Sequence, residues 1–157
     1  MFPHAFASGT GDFVQLFEPT ASVFEKEEIG HVVASFGTES GHVPYTVFMA
    51  KESYLKKNPE VTEKFTRAIK KAQDYVYEAP AEEVAKAIQP FFEDTDIELI
   101  AQVVERYRQQ ESYAKDPILD EEEWNNLQDI MDEAGELPMR MDYSKLVDTT
   151  FAEKVSK

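Results

Sequence analysis

The first fifty residues carry short runs of apolar and β-branched side chains separated by glycine, proline and serine. This pattern predicts three strands, at residues 13–17, 31–36 and 45–50. Between the first two runs the spacing becomes helical, with Pro19 at a position that suits a helix start and Gly30 as a stop. Strand, helix and strand in short pieces favour an α/β arrangement.

From residue 51 onward the apolar positions recur at helical spacing. Asn58-Pro59-Glu60 is typical of a helix start. Asparagine can cap the first turn, and the first helical position tolerates proline because its N–H has no partner within the helix. The residues that follow form one apolar stripe, which we expect to face the core: Val61, Phe65, Ala68, Ile69, Ala72 and Val76.

Further helices follow to the end of the chain. Asp120 with Glu123 predicts a capping box, and Gly135 predicts the end of that helix. Two short helices are expected after Asp142 and Asp148. Two more apolar faces are predicted, one with Val84, Ala85 and Ile88 and the other with Ile97, Ile100, Val104 and Tyr107.

Composition narrows the functional classes. The 157 residues include 42% apolar side chains, enough for a folded domain with a core. The net charge of −15 makes phosphate-rich partners unfavourable, so no nucleic-acid partner is expected. Without cysteine, disulfides and thiolate metal sites are excluded. No run is long enough to span a bilayer, and the first residues do not predict an export signal.

Catalytic signatures are missing from the sequence. His4, His31 and His42 are not spaced to place two ligands on one helix face, so we expect no metal site, no catalytic residue and no cofactor. Glu18 is unusual because it ends a predicted strand, and ligands of open α/β sheets lie at such ends. It is either a solvated acid beside the helix that Pro19 starts or a ligand-facing carboxylate.

Several segments resemble the substrate-binding proteins of ABC transporters, in the group that handles nitrate, sulfonate, taurine and thiamine-pyrimidine precursors. They are SGTGDFVQLFEPTAS, VPYTVFMAKESYLKKNPEVTEKFTRAIKKAQDYV, YRQQESYAKDPILDEEEWNNLQDIMDEAGEL and MDYSKLVDTTFAEKV. The resemblance implies the C-terminal half of a two-lobed α/β periplasmic-binding-protein fold, helix-rich with a few short strands. It implies the end of the second lobe at residues 1–43, a hinge-crossing strand at 44–50 and a helical part of the first lobe at 51–157.

The same resemblance implies capture of a small solute between the lobes, followed by delivery to an ABC permease outside the cytoplasm. Phe17 and Glu18 would then face the cleft, with Tyr45 and Ser40 as further ligand-binding candidates. An aromatic ring beside a carboxylate suits a nitrogenous heterocycle, such as a thiamine-precursor-like pyrimidine, better than nitrate or sulfonate.

Two other functions remain open at this point. One is a cytoplasmic interaction or regulatory module that keeps the fold without transport. The other is an enzyme related to pyrimidine-precursor synthases, which the lack of cysteine disfavours. We also expect the apolar faces of a half-protein to promote self-association into a homo-oligomer.

Overall fold

The computed structural model describes residues 2–157, which form ten α-helices and one 3₁₀ helix. The helices are α1 (Phe2–Ala7), α2 (Thr20–Lys26), α3 (Phe36–Glu39), α4 (Glu52–Lys57), α5 (Pro59–Glu78), α6 (Ala81–Ile88), the 3₁₀ helix (Gln89–Phe91), α7 (Ile97–Gln109), α8 (Glu121–Glu133), α9 (Tyr143–Leu146) and α10 (Thr150–Val155). None of the helices in this range is long and apolar enough to cross a bilayer.

The chain divides into two compact units. Unit 1 contains the residues up to Ser35 together with Ala79–Gln110, and unit 2 contains Phe36–Glu78 together with Glu111–Lys157. The lobe boundaries predicted from the sequence refer to a whole two-lobed protein, so they stay a prediction.

The three predicted strands are wrong for the described residues: 13–17, 31–35 and 45–50 have no regular secondary structure, and Phe36 begins α3. A strand exists only when its backbone pairs with another extended segment, and local β propensity cannot supply that partner. The helix-rich character is confirmed, while the α/β sheet stays a prediction for a longer protein. Large side chains of these runs are exposed, among them Phe13, Val33, Phe48 and Met49.

Unit 1 is built around the packing of α6 on α7. The buried side chains at this contact come from one face of each helix, as the helical spacing predicts, and α2 packs on α7 beside them. This confirms the predicted faces at Val84, Ala85, Ile100 and Val104, while Ile88, Ile97 and Tyr107 are half-buried. The core also contains two residues that the prediction did not include, Leu99 and Val103.

Unit 2 is held by the packing of α10 on α5, where Ala152 is buried, and by polar anchors between α8 and the segment that follows it. The Trp124 indole Nε1–H donates to the Met141 carbonyl at 3.0 Å. The Gln128 side chain accepts from Met141 N–H at 2.7 Å and donates to the Met141 carbonyl at 3.2 Å. Because Gln128 is buried, these bonds fix the segment around Met141 on α8.

The predicted helix ends of unit 2 are largely confirmed. Pro59 is the first residue of α5, and Asp120 precedes α8 with Glu123 completing the capping box. The Asp120 N–H donates to Glu123 Oε2 at 3.3 Å. Gly135 adopts φ of 71°, which glycine tolerates best, and Glu136 N–H closes the helix end by donating to Met131 O at 2.9 Å.

We predict that Asp120→Ala destabilises unit 2 by about 1 kcal/mol, because the first turn of α8 loses its capping carboxylate. The measurement is urea unfolding followed by the fluorescence of Trp124, the single tryptophan, which lies in α8. Glu122→Ala is the control, since it removes a first-turn charge but no cap and should cost only a few tenths of a kcal/mol. Equal losses in the two variants would contradict the capping role.

Candidate functional site

Glu18 lies in unit 1, just before α2, and its carboxylate is only 6% exposed. Its Oε1 accepts a hydrogen bond from Arg106 Nη1 at 2.7 Å, and its Oε2 accepts from the Ser22 backbone N–H at 3.0 Å. The Glu18 N–H donates to the Tyr107 hydroxyl at 3.3 Å. Both carboxylate oxygens therefore have partners inside the unit, and the residue is not a solvated surface acid.

Arg106 links Glu18 to a second carboxylate. Its Nη1 also donates to Ser22 Oγ at 3.1 Å, and its Nη2 donates to Glu25. Glu25 Oε1 in turn accepts from Val32 N–H at 3.0 Å. We refer to Glu18, Ser22, Glu25 and Arg106 as the Arg106 cluster.

The electrostatics of the cluster favour the charged forms of Glu25 and Arg106. The hydrogen bond from Arg106 and then the bond from Val32 N–H hold the pKa of Glu25 below its usual value. Burial lowers the pKa of Arg106, but hydrogen bonds to Glu25 and Glu18 outweigh it, so that pKa is raised overall. The guanidinium is thus a permanent cation held between two carboxylates, which fixes α2 on α7.

Phe17 is next to this cluster in sequence, and its ring is 58% exposed. The Phe17 ring offers an aromatic surface, whereas the Glu18 carboxylate already forms an ion pair with Arg106. A cationic solute would have to compete with Arg106 for Glu18. The Arg106 cluster therefore holds the neighbouring backbone in place, and the Phe17 ring can stack on a flat solute.

The other two predicted residues lie in unit 2. Ser40 follows α3, and its carbonyl accepts from Asn126 Nδ2 at 2.9 Å, as does the carbonyl of His42. Gly41 between them has φ of 71°, and a Cβ there would lie 3.4 Å from Asn126 Nδ2. Tyr45 follows this loop and is 78% exposed. Asn126 thus shapes the loop before Tyr45 by holding two of its carbonyls.

A polar cleft of about 390 Å³ opens beside α8 in unit 2, and none of the four predicted residues lines it. Arg140 at its rim pairs with Asp129 and, at 3.7 Å, with Asp132. Within residues 2–157, no group of three or more histidine and carboxylate side chains could hold a metal ion. The cleft is lined by Glu121, Asn125, Gln128, Arg140, Met141, Asp142, Tyr143 and Ser144.

Sequence reasoning missed the two residues that organise these segments. Arg106 lies 88 positions from Glu18, and Asn126 lies 86 positions from Ser40. Each sits in an ordinary amphipathic helix, where an arginine or asparagine usually faces solvent. No local signal distinguishes them, because their partners are defined only by tertiary contact.

Two comparisons with known proteins bear on this arrangement. The NMT1-like family matches residues 2–89, more than half of the chain. The chain belongs to the NMT1-like family. This confirms the resemblance to substrate-binding proteins that the sequence segments indicated. No solved structure matches the chain significantly.

A relative of this NMT1-like chain is the "Putative binding protein YtlA" of Bacillus subtilis (strain 168). The two are 58% identical over 153 residues, which is 98% of this chain and 46% of the relative. The chain thus spans about half the length of the curated relative it matches. The match covers nearly all of this chain but less than half of the relative, so properties of the whole relative are not carried over to this chain.

We predict that Arg106→Ala destabilises the packing of α2 on α7 by about 3 kcal/mol, because it leaves the buried Glu18 carboxylate without its cation. Amide hydrogen exchange in α2 and α7 measures this opening locally. Arg67→Ala is the control, since that exposed pair with Glu63 is an i,i+4 pair worth about 0.5 kcal/mol at most. Unchanged exchange in α2 after Arg106→Ala would show that the cluster is not structural.

The cluster also predicts a pH dependence. The pKa of Glu25 is lowered by folding, so its stabilising contribution is complete above the unfolded pKa of about 4.5 and is lost as pH falls through the folded value. Glu25→Gln should therefore be less stable than the parent at neutral pH, and the difference should shrink as the pH approaches 3.

Urea unfolding followed by circular dichroism at several pH values measures this difference. Glu27→Gln serves as the control, since Glu27 is an exposed carboxylate directly after α2 and outside the cluster. A gap between parent and Glu25→Gln that stays constant from pH 7 to pH 3 would contradict the assignment.

Proposed function

We propose that the chain is part of the solute-binding component of an ABC importer. The observation that carries the proposal is the 58% identity, over 98% of the chain, to a relative whose name describes a binding protein. Membership of the NMT1-like family supports it. Both comparisons point to a binding protein and not to an enzyme.

In this proposal, the chain supplies one part of a cleft that closes on a solute between two lobes. Phe17 provides a ring for stacking, and its exposure leaves that ring accessible. Glu18 orients the segment through Arg106 and can share a hydrogen bond with an amino group of the solute. Tyr45 contributes a second exposed aromatic ring, and Ser40 belongs to the loop that leads to it.

The proposed solute is a small nitrogenous aromatic molecule such as an aminopyrimidine. Stacking on an aromatic ring favours a flat heterocycle, and a carboxylate beside it favours a donor group over an anion. Nitrate and simple alkanesulfonates lack both the ring and the donor, so they fit this segment poorly. The proposed partner of the loaded protein is an ABC permease, and the proposed location is extracytoplasmic.

The test uses a chimera in which this chain replaces the matching part of the B. subtilis relative. Calorimetry measures its affinity for an aminopyrimidine, an aliphatic amine, a sulfonate and nitrate. We predict that the aminopyrimidine binds tightest and that Phe17→Ala raises its Kd about tenfold, because one stacking surface is lost. Phe91→Ala is the matched control, since Phe91 is also an exposed phenylalanine of unit 1, at 83%.

Glu18→Gln tests the carboxylate and is compared with Glu25→Gln, which weakens the same Arg106 cluster without changing Glu18. If Glu18 shares a hydrogen bond with the solute, this variant weakens binding of the aminopyrimidine while Phe17 still contributes. Tightest binding of nitrate or a sulfonate would overturn the proposed solute class. Equal binding by the parent and Phe17→Ala would overturn the role of Phe17.

A further inference from the structure

Asn126 holds a turn of unit 2 from the middle of α8. Its Nδ2 donates to the carbonyl oxygens of Ser40 and His42, each at 2.9 Å. Because both partners are acceptors, only the amide NH₂ group can make these bonds, and it offers one hydrogen to each. The capping box and the bonds between Gln128 and Met141 fix α8 itself, so the turn is tied to a rigid element.

Gly41, between the two bonded carbonyls, allows the turn to lie this close to α8. Its φ of 71° is in the left-handed region, which residues with a side chain disfavour, and a Cβ there would lie 3.4 Å from Asn126 Nδ2. The Ser40 hydroxyl donates to the Gly41 carbonyl at 3.2 Å, so the hydroxyl and the carbonyl of Ser40 both have partners within unit 2. We refer to residues 40–42 as the Asn126 turn.

The connection from this turn to Tyr45 is short and stiff. Only Val43 and Pro44 lie between His42 and Tyr45, and both are half-buried. The proline ring fixes its own φ, and a β-branched residue before a proline is confined to extended backbone. Three residues span about 11 Å at most, so the position of His42 limits where Tyr45 can lie. Tyr45 itself is outside any helix or strand.

We propose that Asn126 is a positioning residue of the solute site, which acts through the Asn126 turn to place the Tyr45 ring for stacking. The inference rests on the proposed function, in which Tyr45 supplies the second exposed ring, at 78%. A ring whose backbone is held before the solute arrives loses less freedom on binding, so it contributes more to affinity. Ser40 then takes part through its backbone carbonyl and not by binding the solute.

The experiment uses the chimera with the B. subtilis relative and an aminopyrimidine as the probe, with calorimetry as the measurement. Asn126→Asp keeps the shape of the side chain but replaces the NH₂ donor with an oxygen that repels both carbonyls. Its Kd should rise about tenfold, as in Tyr45→Ala, because the stacking surface is no longer held in place. Asn125→Asp is the matched control and should change Kd less than about twofold. It adds the same charge to α8, on an exposed residue whose side chain lines the polar cleft.

A double-mutant cycle separates positioning from a general loss of stability. In the Tyr45→Ala background, Asn126→Asp should raise Kd by less than about twofold further, because the ring that Asn126 places is absent. A residue needed only for stability would weaken binding by the same factor in both backgrounds.

Gly41→Ala tests the turn from its other side. The added Cβ strains the backbone and crowds Asn126 Nδ2, so Kd should rise as it does in Asn126→Asp. Gly135→Ala is the control, because Gly135 has the same φ of 71° but no atom of the described chain lies within 4 Å of an added Cβ. It carries the backbone strain away from the Asn126 turn and should leave Kd nearly unchanged.

NMR order parameters of the backbone N–H groups at 41–43 and 45 measure the turn in the chimera without solute. They should be lower in Asn126→Asp than in the parent. Unchanged order parameters, an unchanged Kd in Asn126→Asp or equal losses in both backgrounds of the cycle would each overturn the positioning role while the parent still binds. A parent that binds none of the solutes would instead overturn the proposed function, and the role of Asn126 in recognition with it.

Discussion

The hydrogen-bonded ion pairs of Arg106 are the interaction that holds α2 and the preceding segment on the α6–α7 core of unit 1. One guanidinium bonds to two carboxylates and a hydroxyl, from Ser22 and Glu25 on α2 and from Glu18 two residues before it, and so ties this short helix to α7. A seven-residue helix buries too little apolar surface to be held by packing alone. A buried carboxylate without its cation would be strongly unfavourable, so the cluster is stable only as a complete set.

This constraint changes the role of Glu18. Its position at the end of an apolar run left a ligand-facing role open. In the structure its carboxylate pairs with Arg106 and accepts from the Ser22 backbone N–H. The exposed group of the segment is instead the ring of Phe17. In the proposed function, recognition by this segment therefore rests first on stacking, and the Arg106 cluster fixes the backbone next to Phe17.

In unit 2, part of a helix face and a neighbouring segment without regular structure expose apolar side chains. The longest helix of this unit, α5, packs against α10. Four residues of its predicted apolar stripe are exposed and two, Ile69 and Val76, are half-buried; the exposed ones are Val61, Phe65, Ala68 and Ala72. The adjacent β-rich segment has no strand partner in the described chain. Apolar side chains at helical spacing are buried only where another part of the protein packs on them, and local spacing does not supply that contact. A strand likewise needs a second strand, whatever its own propensity.

Local patterns of the sequence were enough to predict α2, most helices after residue 51, several of their ends and part of the α6–α7 core. Pro59, Asp120 and Gly135 act through bonds and steric limits within a few residues, so their effect is readable along the chain. Only tertiary structure decided that Glu18 pairs with Arg106 and that the β-rich runs stay unpaired. The first outcome depends on a partner 88 positions away. The second depends on a neighbouring strand, which the pattern of one segment cannot reveal.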